Sequence, residues 1–398
     1  MSSTANTSVP SLAIIGGGIF GLTAAIEAAK LKVNISVFDR SSEILQGASK
    51  LNNGVVHMGY HYPRSLETVL QSKRGCERFQ ARFPDCVMST FDKYYCIASE
   101  GSLTTAKEYL AFCEQAELPY RIEFPPDPFI NRERVDLSIR VPEAMFDYRR
   151  VRNQLLEQLS ACKKVTLLRQ HIIIQASLSN QNRKRLRVSY NGEYVWQEFD
   201  FVLNASYANT NAILSMFGGE LFDLQYELSE VPLISIPWRA DPIGVTVMDG
   251  PFCALNPFGF SNCYTITHVE LSIRERSIGD FAAFECQEAP LNDCRLESGT
   301  RILGDCNLCQ ARPSTNFHAL VEKSQDFFPI LARSHHERSY FVMRCVLAKR
   351  DFDDARPTLV HYMGSGVWTI FGGKVDTCLD AAENFRTSLE AHLFRGTL

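Results

Sequence analysis

Long apolar runs, a leader peptide and a strong charge are all missing from this sequence. No apolar run reaches the roughly 20 residues that a membrane-spanning helix needs, so we expect no membrane span. Residues 1–10 are rich in Ser and Thr and lack the basic start and apolar core of a secretory leader. The formal net charge of −4 over 398 residues argues against nucleic acid as a partner. These absences predict a soluble globular protein of the cytoplasm.

The cysteines also lack the pattern of a stabilising framework. There are 13 of them, an odd number scattered along the chain, which predicts reduced thiols. Cys306 and Cys309 have the spacing of zinc ligands, and Cys294 and His318 lie nearby in the sequence. Because no second Cys-x-x-Cys pair completes four ligands, we predict no metal, and a structural zinc site is the alternative.

The stretch 11–40 carries the strongest pattern of the chain. A short apolar strand runs into Gly16-x-Gly18-x-x-Gly21, an Ala-rich helix follows, and a second apolar strand ends at Asp39. The glycines permit a tight turn, close approach of a pyrophosphate and helix–strand packing, while the acid can accept hydrogen bonds from a ribose. This is the pattern of a dinucleotide-binding βαβ unit. The residues of this unit predicted to contact the dinucleotide are Gly16, Gly18, Ile19, Phe20, Gly21, Asp39 and Arg40.

Two further stretches have the composition of cofactor-binding loops. Small, amide-bearing and glycine residues dominate the first half of the stretch 47–64, and two His and two Tyr lie in its second half, a composition that suits close backbone approach to a ring with a polar edge. The apolar stretch 199–203 runs into Ala205 and Ser206, at the carboxyl end of a predicted buried strand, where α/β proteins bind their ligands. The first loop adds these predicted contacts: Ala48, Ser49, Asn53, Gly54 and Val55.

The remaining chain alternates between helical and extended patterns. Apolar periodicity predicts helices near 65–83, 104–116 and 148–161. The stretch 226–272 has a β pattern, and 274–317 is polar and predicted to be irregular. Because no repeat or linker divides the chain, we expect its domains to be interleaved.

Together these separated motifs resemble the D-amino-acid oxidase-like flavoproteins, a family of FAD-dependent oxidoreductases that includes hydroxyglutarate and glycerol phosphate dehydrogenases. The resemblance implies FAD as cofactor and a mixed α/β fold. It implies a Rossmann-like FAD-binding domain interleaved with a substrate domain on a mainly antiparallel sheet. The expected FAD-binding domain comprises residues 1–79, 140–229 and 340–398, and the expected substrate domain comprises 80–139 and 230–339.

The same resemblance assigns the loop after the last predicted strand. Gly372-Gly373-Lys374-x-x-Thr377 is similar to the run that closes the flavin site in the glycerol phosphate enzymes. Backbone N–H groups and a lysine would there stabilise negative charge at the N1–C2=O edge of the reduced flavin. The predicted contacts of this loop are Gly372, Gly373, Lys374, Val375 and Thr377.

The resemblance also implies which residues bind the substrate and take its proton, and each of these residues has an alternative role. Arg344 corresponds to an arginine that pairs with an anionic substrate group, and a structural ion pair with Asp353 or Asp354 is its alternative. His57 and His61 would pass under the isoalloxazine and take a substrate proton, or else be ordinary hydrogen-bonded histidines.

A covalent flavin is a further possibility that the sequence leaves open. His57 could carry such a bond, and Cys345 resembles the cysteine that carries flavin in sarcosine oxidases. We expect non-covalent FAD.

The predicted activity is oxidation of a C–H next to an amine or hydroxyl on a small, polar, anionic substrate. Hydride would pass to flavin N5, and oxygen or another acceptor would reoxidise the flavin. One alternative is a flavin monooxygenase, although Gly279-Asp280 and Gly304-Asp305 lack the later motif of that class. Another is a non-catalytic FAD-binding protein, for which Tyr207 in place of a small residue is the only hint.

Overall fold

A computed structural model describes residues 9–51, 54–88, 90–295, 301–349 and 356–395. Within these ranges a six-stranded sheet is parallel except at one edge, where β20 runs antiparallel to β21. Its strands, in order across the sheet, are β20 (Leu359–Gly364), β21 (Val367–Phe371), β13 (Phe201–Asn204), β1 (Ser11–Ile15), β2 (Asn34–Asp39) and β9 (Val165–Arg169). The carboxyl ends of β1, β2, β13 and β21 therefore share one edge of the sheet.

A nine-stranded sheet forms the second layer of the described chain. It is antiparallel except for the β5–β15 pair, and β14 pairs with three neighbours. Its strands are β18 (Ile273–Gly279), β14 (Leu224–Ser235), β17 (Cys263–His268), β16 (Cys253–Pro257), β15 (Ile243–Met248), β5 (Asp92–Ala98), β7 (Val135–Val141), β6 (Arg121–Ile122) and, beside β14, β19 (His335–Leu347).

Two three-stranded sheets complete the β-structure of the described residues. The first is a meander whose β11–β12 hairpin turns at Asn191 and Gly192. The second joins β3 and β4 through β8, and its strand β3 lies within the predicted cofactor loop. The strands are β10 (Ile172–Leu178), β11 (Lys184–Tyr190), β12 (Glu193–Phe199), β3 (Val55–Val56), β8 (Ala144–Phe146) and β4 (Val87–Met88).

Seven α-helices appear in the same ranges. They are α1 (Ile19–Ala28), α2 (Leu66–Arg82), α3 (Ala106–Gln115), α4 (Tyr148–Ala161), α5 (Thr210–Met216), α6 (Phe317–Ser324) and α7 (Cys378–Arg395). The helices α2, α3 and α4 confirm three predictions from apolar periodicity. Local caps explain two of their starts, because Thr105 and Glu108 form a capping box and Asp147 accepts the amides of Arg149 and Arg150.

The main hydrophobic core lies between the parallel sheet and the helices α1, α4 and α7. Ala25 of α1, Leu155 of α4 and Phe385 of α7 are completely buried there with Ile14 of β1. Small residues let α1 approach the sheet closely, which holds the start of α1 at the carboxyl edge of β1.

The nine-stranded sheet differs from the sequence predictions in two respects. The polar segment 274–317 is not wholly irregular, because β18 occupies its start and pairs with β14. Segments of the two large sheets alternate along the chain, as expected for interleaved domains. The strands β14 and β19, however, cross the expected domain boundaries at 229/230 and 339/340. The domain division itself stays a prediction. No helix of the described residues has the length and apolar character needed to cross a membrane.

Candidate functional site

A cavity of about 660 Å³ brings the separated motifs together. Its wall includes the carboxyl ends of the parallel strands and residues from the nine-stranded sheet. Every predicted site residue lines this cavity except Gly21, Gly54 and Thr377, which lie behind its wall, and Asn53, which lies outside the described residues.

The turn between β1 and α1 has room only for glycine at two positions. Gly16 has φ +115°, and a Cβ there would lie 2.4 Å from the carbonyl oxygen of Ala205. A Cβ on Gly21 would lie 1.9 Å from the carbonyl oxygen of Gly16. The start of α1 is thereby held against β1 and β13 with its N-terminal N–H groups at the cavity, which favours a phosphate.

Asp39 ends β2 beside this turn. Its carboxylate accepts hydrogen bonds from the amides of Gly17, at 2.6 Å, and Ser41, at 2.8 Å. Burial raises the pKa of Asp39, against the opposing effect of these two hydrogen bonds. Each oxygen keeps a second acceptor position, because a carboxylate offers about four lone-pair sites. The carboxylate can therefore still accept ribose hydroxyls from the cavity.

Two other groups face the same end of the cavity. Nη1 of Arg40 is buried and has no hydrogen-bond partner among the described residues. Ser49 accepts a hydrogen bond from the amide of Ile19 at 3.0 Å and thus contacts the first turn of α1. A buried guanidinium N–H without a partner and a glycine cradle at a helix start both fit the phosphates of FAD.

The Gly372–Thr377 loop follows β21 and packs on α2. The ammonium of Lys374 donates to the Thr68 carbonyl at 3.3 Å and to Ser72 Oγ at 3.1 Å. Burial lowers the pKa of Lys374. Its charged end is therefore bound to α2, whereas the prediction aims it at the flavin edge. The backbone of Gly372 and Gly373 lines the cavity as predicted.

His57 and His61 lie side by side on the cavity wall, with ring centroids 5.7 Å apart. Nδ1 of His57 is 3.5 Å from Oε1 of Glu143, a residue that the sequence analysis did not select. Burial acts to raise the pKa of Glu143, but contacts with His57, the charge of Lys93 and a hydrogen bond from Tyr95 bring it below its ordinary value. The carboxylate is thus ionised behind the imidazole.

Arg344 also lines the cavity but already has an acidic partner. Its Nη1 lies 3.1 Å from Oε2 of Glu227, the residue that faces it across the β14–β19 pair. Arg276 of β18 lies 3.6 Å from Oε1 of the same carboxylate. Both guanidinium groups and Glu227 line the cavity. The expected alternatives Asp353 and Asp354 are outside the described residues.

Cys345, the expected alternative site of a covalent flavin, points away from the cavity. Its side chain is 1% exposed and packs with Tyr226 and Phe371. Burial raises the pKa of this thiol, so it stays protonated. Its amide donates to the hydroxyl of Tyr207, which stacks on Phe371. Arg344 lines the cavity, whereas Cys345 does not.

The zinc alternative gains no support from the geometry. Cys294, Cys306 and Cys309 lie around one small pocket, and burial raises the pKa of the first two thiols. Among the residues that the structure describes, no group of three His, Cys, Asp or Glu side chains could hold a metal ion.

Comparison with known proteins decides the family. The model of the DAO family, described as FAD dependent oxidoreductase, matches residues 11–374. The chain belongs to this family. It is therefore an FAD-dependent oxidoreductase, and the glycine cradle, Asp39 and Arg40 are consistent with that cofactor.

Individual relatives are distant. The FAD-dependent monooxygenase FPY4 of Fusarium mangiferae is 26% identical over 65% of this chain, and the match spans only 64% of that protein. The FAD-dependent monooxygenase kojA of Aspergillus flavus is 24% identical over 93% of this chain and 83% of its own length. The crystal structure of glycine oxidase from Geobacillus kaustophilus superposes with a TM-score of 0.68 at 14% identity, covering 97% of this chain and 95% of the oxidase. This last similarity shows the fold alone.

The functional groups that sequence reasoning missed are acidic and buried. Glu227 lies within the largely buried strand β14, and Glu143 lies between the strands β7 and β8. Both side chains are buried, and a buried acid is unexpected without a partner. An acidic residue among apolar strand residues was therefore the signal in the sequence that could have identified them. Their partners come from strands far away in the chain, so the partners could not be named from the sequence.

Proposed function

We propose that this oxidoreductase oxidises a C–H bond next to an amine or hydroxyl on a small, polar, anionic substrate. The observation that carries the proposal is the pair of cavity groups formed by His57, backed by an ionised carboxylate, and Arg344. FAD held by the glycine cradle, Asp39 and Arg40 would supply the two-electron acceptor for this hydride transfer. The residues of the chain then have to bind the substrate and take its proton.

His57 is the candidate proton acceptor. An ionised carboxylate only accepts hydrogen bonds, so the Nδ1 that faces Glu143 carries the proton of the neutral ring. Nε2 is then left with a free lone pair. A neutral imidazole on the cavity wall can remove the proton of a substrate hydroxyl or ammonium as the C–H bond breaks.

The arginine pair is the candidate anion site. Arg344 and Arg276 carry two positive charges against the single negative charge of Glu227, which leaves one net positive charge on this group of three side chains. A planar guanidinium can pair with a carboxylate or phosphate through two parallel hydrogen bonds. The arrangement therefore favours an anionic substrate. We further propose, from the sequence predictions alone, that oxygen or another acceptor reoxidises the flavin and that the protein is cytoplasmic.

Anaerobic reduction of the flavin tests this proposal. The purified protein is mixed without oxygen with panels of amino acids, amines and hydroxy acids, and the flavin absorbance is followed. We expect one class to bleach the flavin, and we expect His57→Gln to slow that bleaching about 100-fold or more. His171→Gln is the matched control, because His171 lines the same cavity but stacks on Tyr190 at a centroid distance of 4.2 Å. A flavin that no member of the panels reduces would contradict the proposal.

A monooxygenase activity is the second candidate, because FPY4 and kojA are both named FAD-dependent monooxygenases. That activity would consume NADH or NADPH and place one oxygen atom from O₂ in an organic product. Labelled O₂ distinguishes the two, because a monooxygenase places one labelled atom in the organic product, whereas an oxidase of the proposed kind leaves both atoms in hydrogen peroxide.

A further inference from the structure

His57 and Glu143 are brought together by strand register. In the β3–β8 pair, Val56 lies opposite Ala144 and Val55 opposite Met145. Residue 57 follows β3 and residue 143 precedes β8, so the next step of the same antiparallel register places His57 opposite Glu143. The contact between Nδ1 and Oε1 at 3.5 Å is therefore a consequence of the backbone pairing of two segments that are far apart in the sequence.

Glu143 is itself firmly held. Its side chain is completely buried, and it accepts the amide of Met58 at 2.7 Å and the hydroxyl of Tyr95 at 2.6 Å. The hydrogen bond from the Met58 amide fixes the loop that carries His57. The hydrogen bond from Tyr95 fixes the second carboxylate oxygen of Glu143. Nδ1 of His57 is buried as well and forms no hydrogen bond with any described residue, so its 3.5 Å contact with Glu143 is that of an ion pair, although 21% of the imidazole side chain is exposed. The exposed part of the ring therefore does not include Nδ1.

A buried cation stands behind this carboxylate. Lys93 is completely buried, and its ammonium donates to Thr246 Oγ1 at 2.7 Å and Asn256 Oδ1 at 2.8 Å. It lies 4.9 Å from the ring centroid of Tyr95. Its charge acts on Glu143 and favours the ionised carboxylate. Two opposite buried charges stabilise each other where either alone would be costly.

We propose that Glu143, supported by Tyr95 and Lys93, is the positioning residue of the site: it fixes the Nδ1–H tautomer of His57 and leaves Nε2 toward the cavity. This rests on the proposed function of His57 as proton acceptor. A carboxylate on one nitrogen of an imidazole holds the ring and its tautomer so that the other nitrogen can accept a proton. Glu143 does not reach the substrate, because its side chain is buried and is not part of the cavity wall.

Ring nitrogen resonances of the full-length, FAD-loaded protein report the tautomer directly. Histidines are labelled with ¹⁵N, and the His57→Gln variant assigns the signal of His57. In the unaltered protein we expect the neutral ring to carry its proton on Nδ1. Glu143→Met, which removes the acceptor at similar volume, should move most of the proton to Nε2. Glu143→Gln keeps an oxygen acceptor and should retain the Nδ1–H form more fully.

Kinetics supplies the second measurement. Glu143→Met should lower the rate constant of anaerobic flavin reduction about 10- to 100-fold, with less than a twofold change in substrate dissociation constant. Glu123→Met is the matched control, because Glu123 accepts the hydroxyl of neighbouring Tyr94 at 3.2 Å but is not linked to His57. It should change neither the ring signal nor the rate.

The outcomes separate the two proposals. If Glu143→Met leaves the proton of His57 on Nδ1, the positioning role is overturned even where substrates reduce the flavin. If the ring signal responds as expected but no substrate reduces the flavin, the positioning role stands and the proposed function fails. Should Glu143→Met lose its fold, the Lys93→Met/Glu143→Met double variant removes both buried charges and gives the same readout.

Discussion

The two ends of the cavity are built on different principles. At the β1–α1 turn the cavity wall is mainly backbone, and its shape depends on missing side chains at Gly16 and Gly21. At the other end the wall consists of charged and hydrogen-bonding side chains such as His57 and Arg344. The first end is continuous in sequence, whereas the second is assembled from strands that pair across long sequence separations.

This difference indicates where specificity is encoded. A phosphate is bound by helix N–H groups that any sequence with the right turn can offer. Proton transfer and substrate recognition need particular side chains with particular partners, and here those partners are the buried acids Glu143 and Glu227. The dinucleotide end should therefore fail through steric change, and the substrate end through loss of charge or hydrogen bonds.

The largest expected effect is that of Gly21→Ala at the dinucleotide end. The added Cβ would lie 1.9 Å from the Gly16 carbonyl oxygen, so α1 would have to move away from β1. We expect a loss of about 3 kcal/mol or more in the free energy of unfolding, and loss of bound FAD. The ratio of flavin to protein absorbance and denaturant unfolding measure these. Gly47→Ala is the matched control, because no atom lies within 4 Å of its added Cβ. Full flavin content in Gly21→Ala would contradict the steric account.

The next effect concerns the charge buried at the substrate end. Burial lowers the pKa of Lys93 from its ordinary 10.5 to about 8. Between these values the unfolded chain binds more protons than the folded one, so the free energy of unfolding rises with pH. Relative to Lys93→Met, the unaltered protein should gain up to about 3 kcal/mol between pH 8 and pH 10.5. Exposed Lys107→Met serves as the control and should follow the unaltered protein. A difference that does not vary with pH would show that Lys93 titrates normally.

Arg344→Met should have a smaller effect that is confined to substrate binding. Loss of a charged hydrogen bond to an anionic substrate costs about 2 kcal/mol, which is about a 30-fold rise in its dissociation constant. Anaerobic titration of the flavin absorbance measures that constant. Arg140→Met is the control, because Arg140 pairs with Asp92 on the same sheet but outside the cavity wall. An unchanged dissociation constant would mean that Arg344 serves only to neutralise Glu227.

The sequence predicted the dinucleotide end well because every requirement there is local. Strand, glycines, helix and Asp39 follow one another within 30 residues, and each has a recognisable residue pattern. The helices α2 and α4 were predictable for a related reason, since one apolar face repeats along each of them.

The substrate end was less predictable because the register of paired strands brings its residues together, and no local residue pattern encodes that register. Nothing in the sequence states that Glu143 faces His57 or that Glu227 faces Arg344, since each pair depends on strand alignment. The strand β18 was missed because its only two isoleucines, Ile273 and Ile278, are five positions apart among polar residues, which leaves no apolar alternation to detect. Lys374 was placed correctly in its loop, but its ammonium contacts α2, which only the packing of that helix reveals.

The smallest effect tests how far the dinucleotide end depends on side chains at all. Ser49→Ala removes the hydroxyl that accepts the Ile19 amide, and a single hydrogen bond of this kind contributes about 1 kcal/mol to the free energy of unfolding. FAD affinity should fall by no more than about tenfold, because the glycine cradle remains. Ser160→Ala is the control, since its hydroxyl bonds only a carbonyl one turn earlier on the exposed face of α4. If Ser49→Ala abolished FAD binding as Gly21→Ala is expected to do, the cradle would depend on a side chain as much as the substrate end does, and the contrast between the two ends would fail.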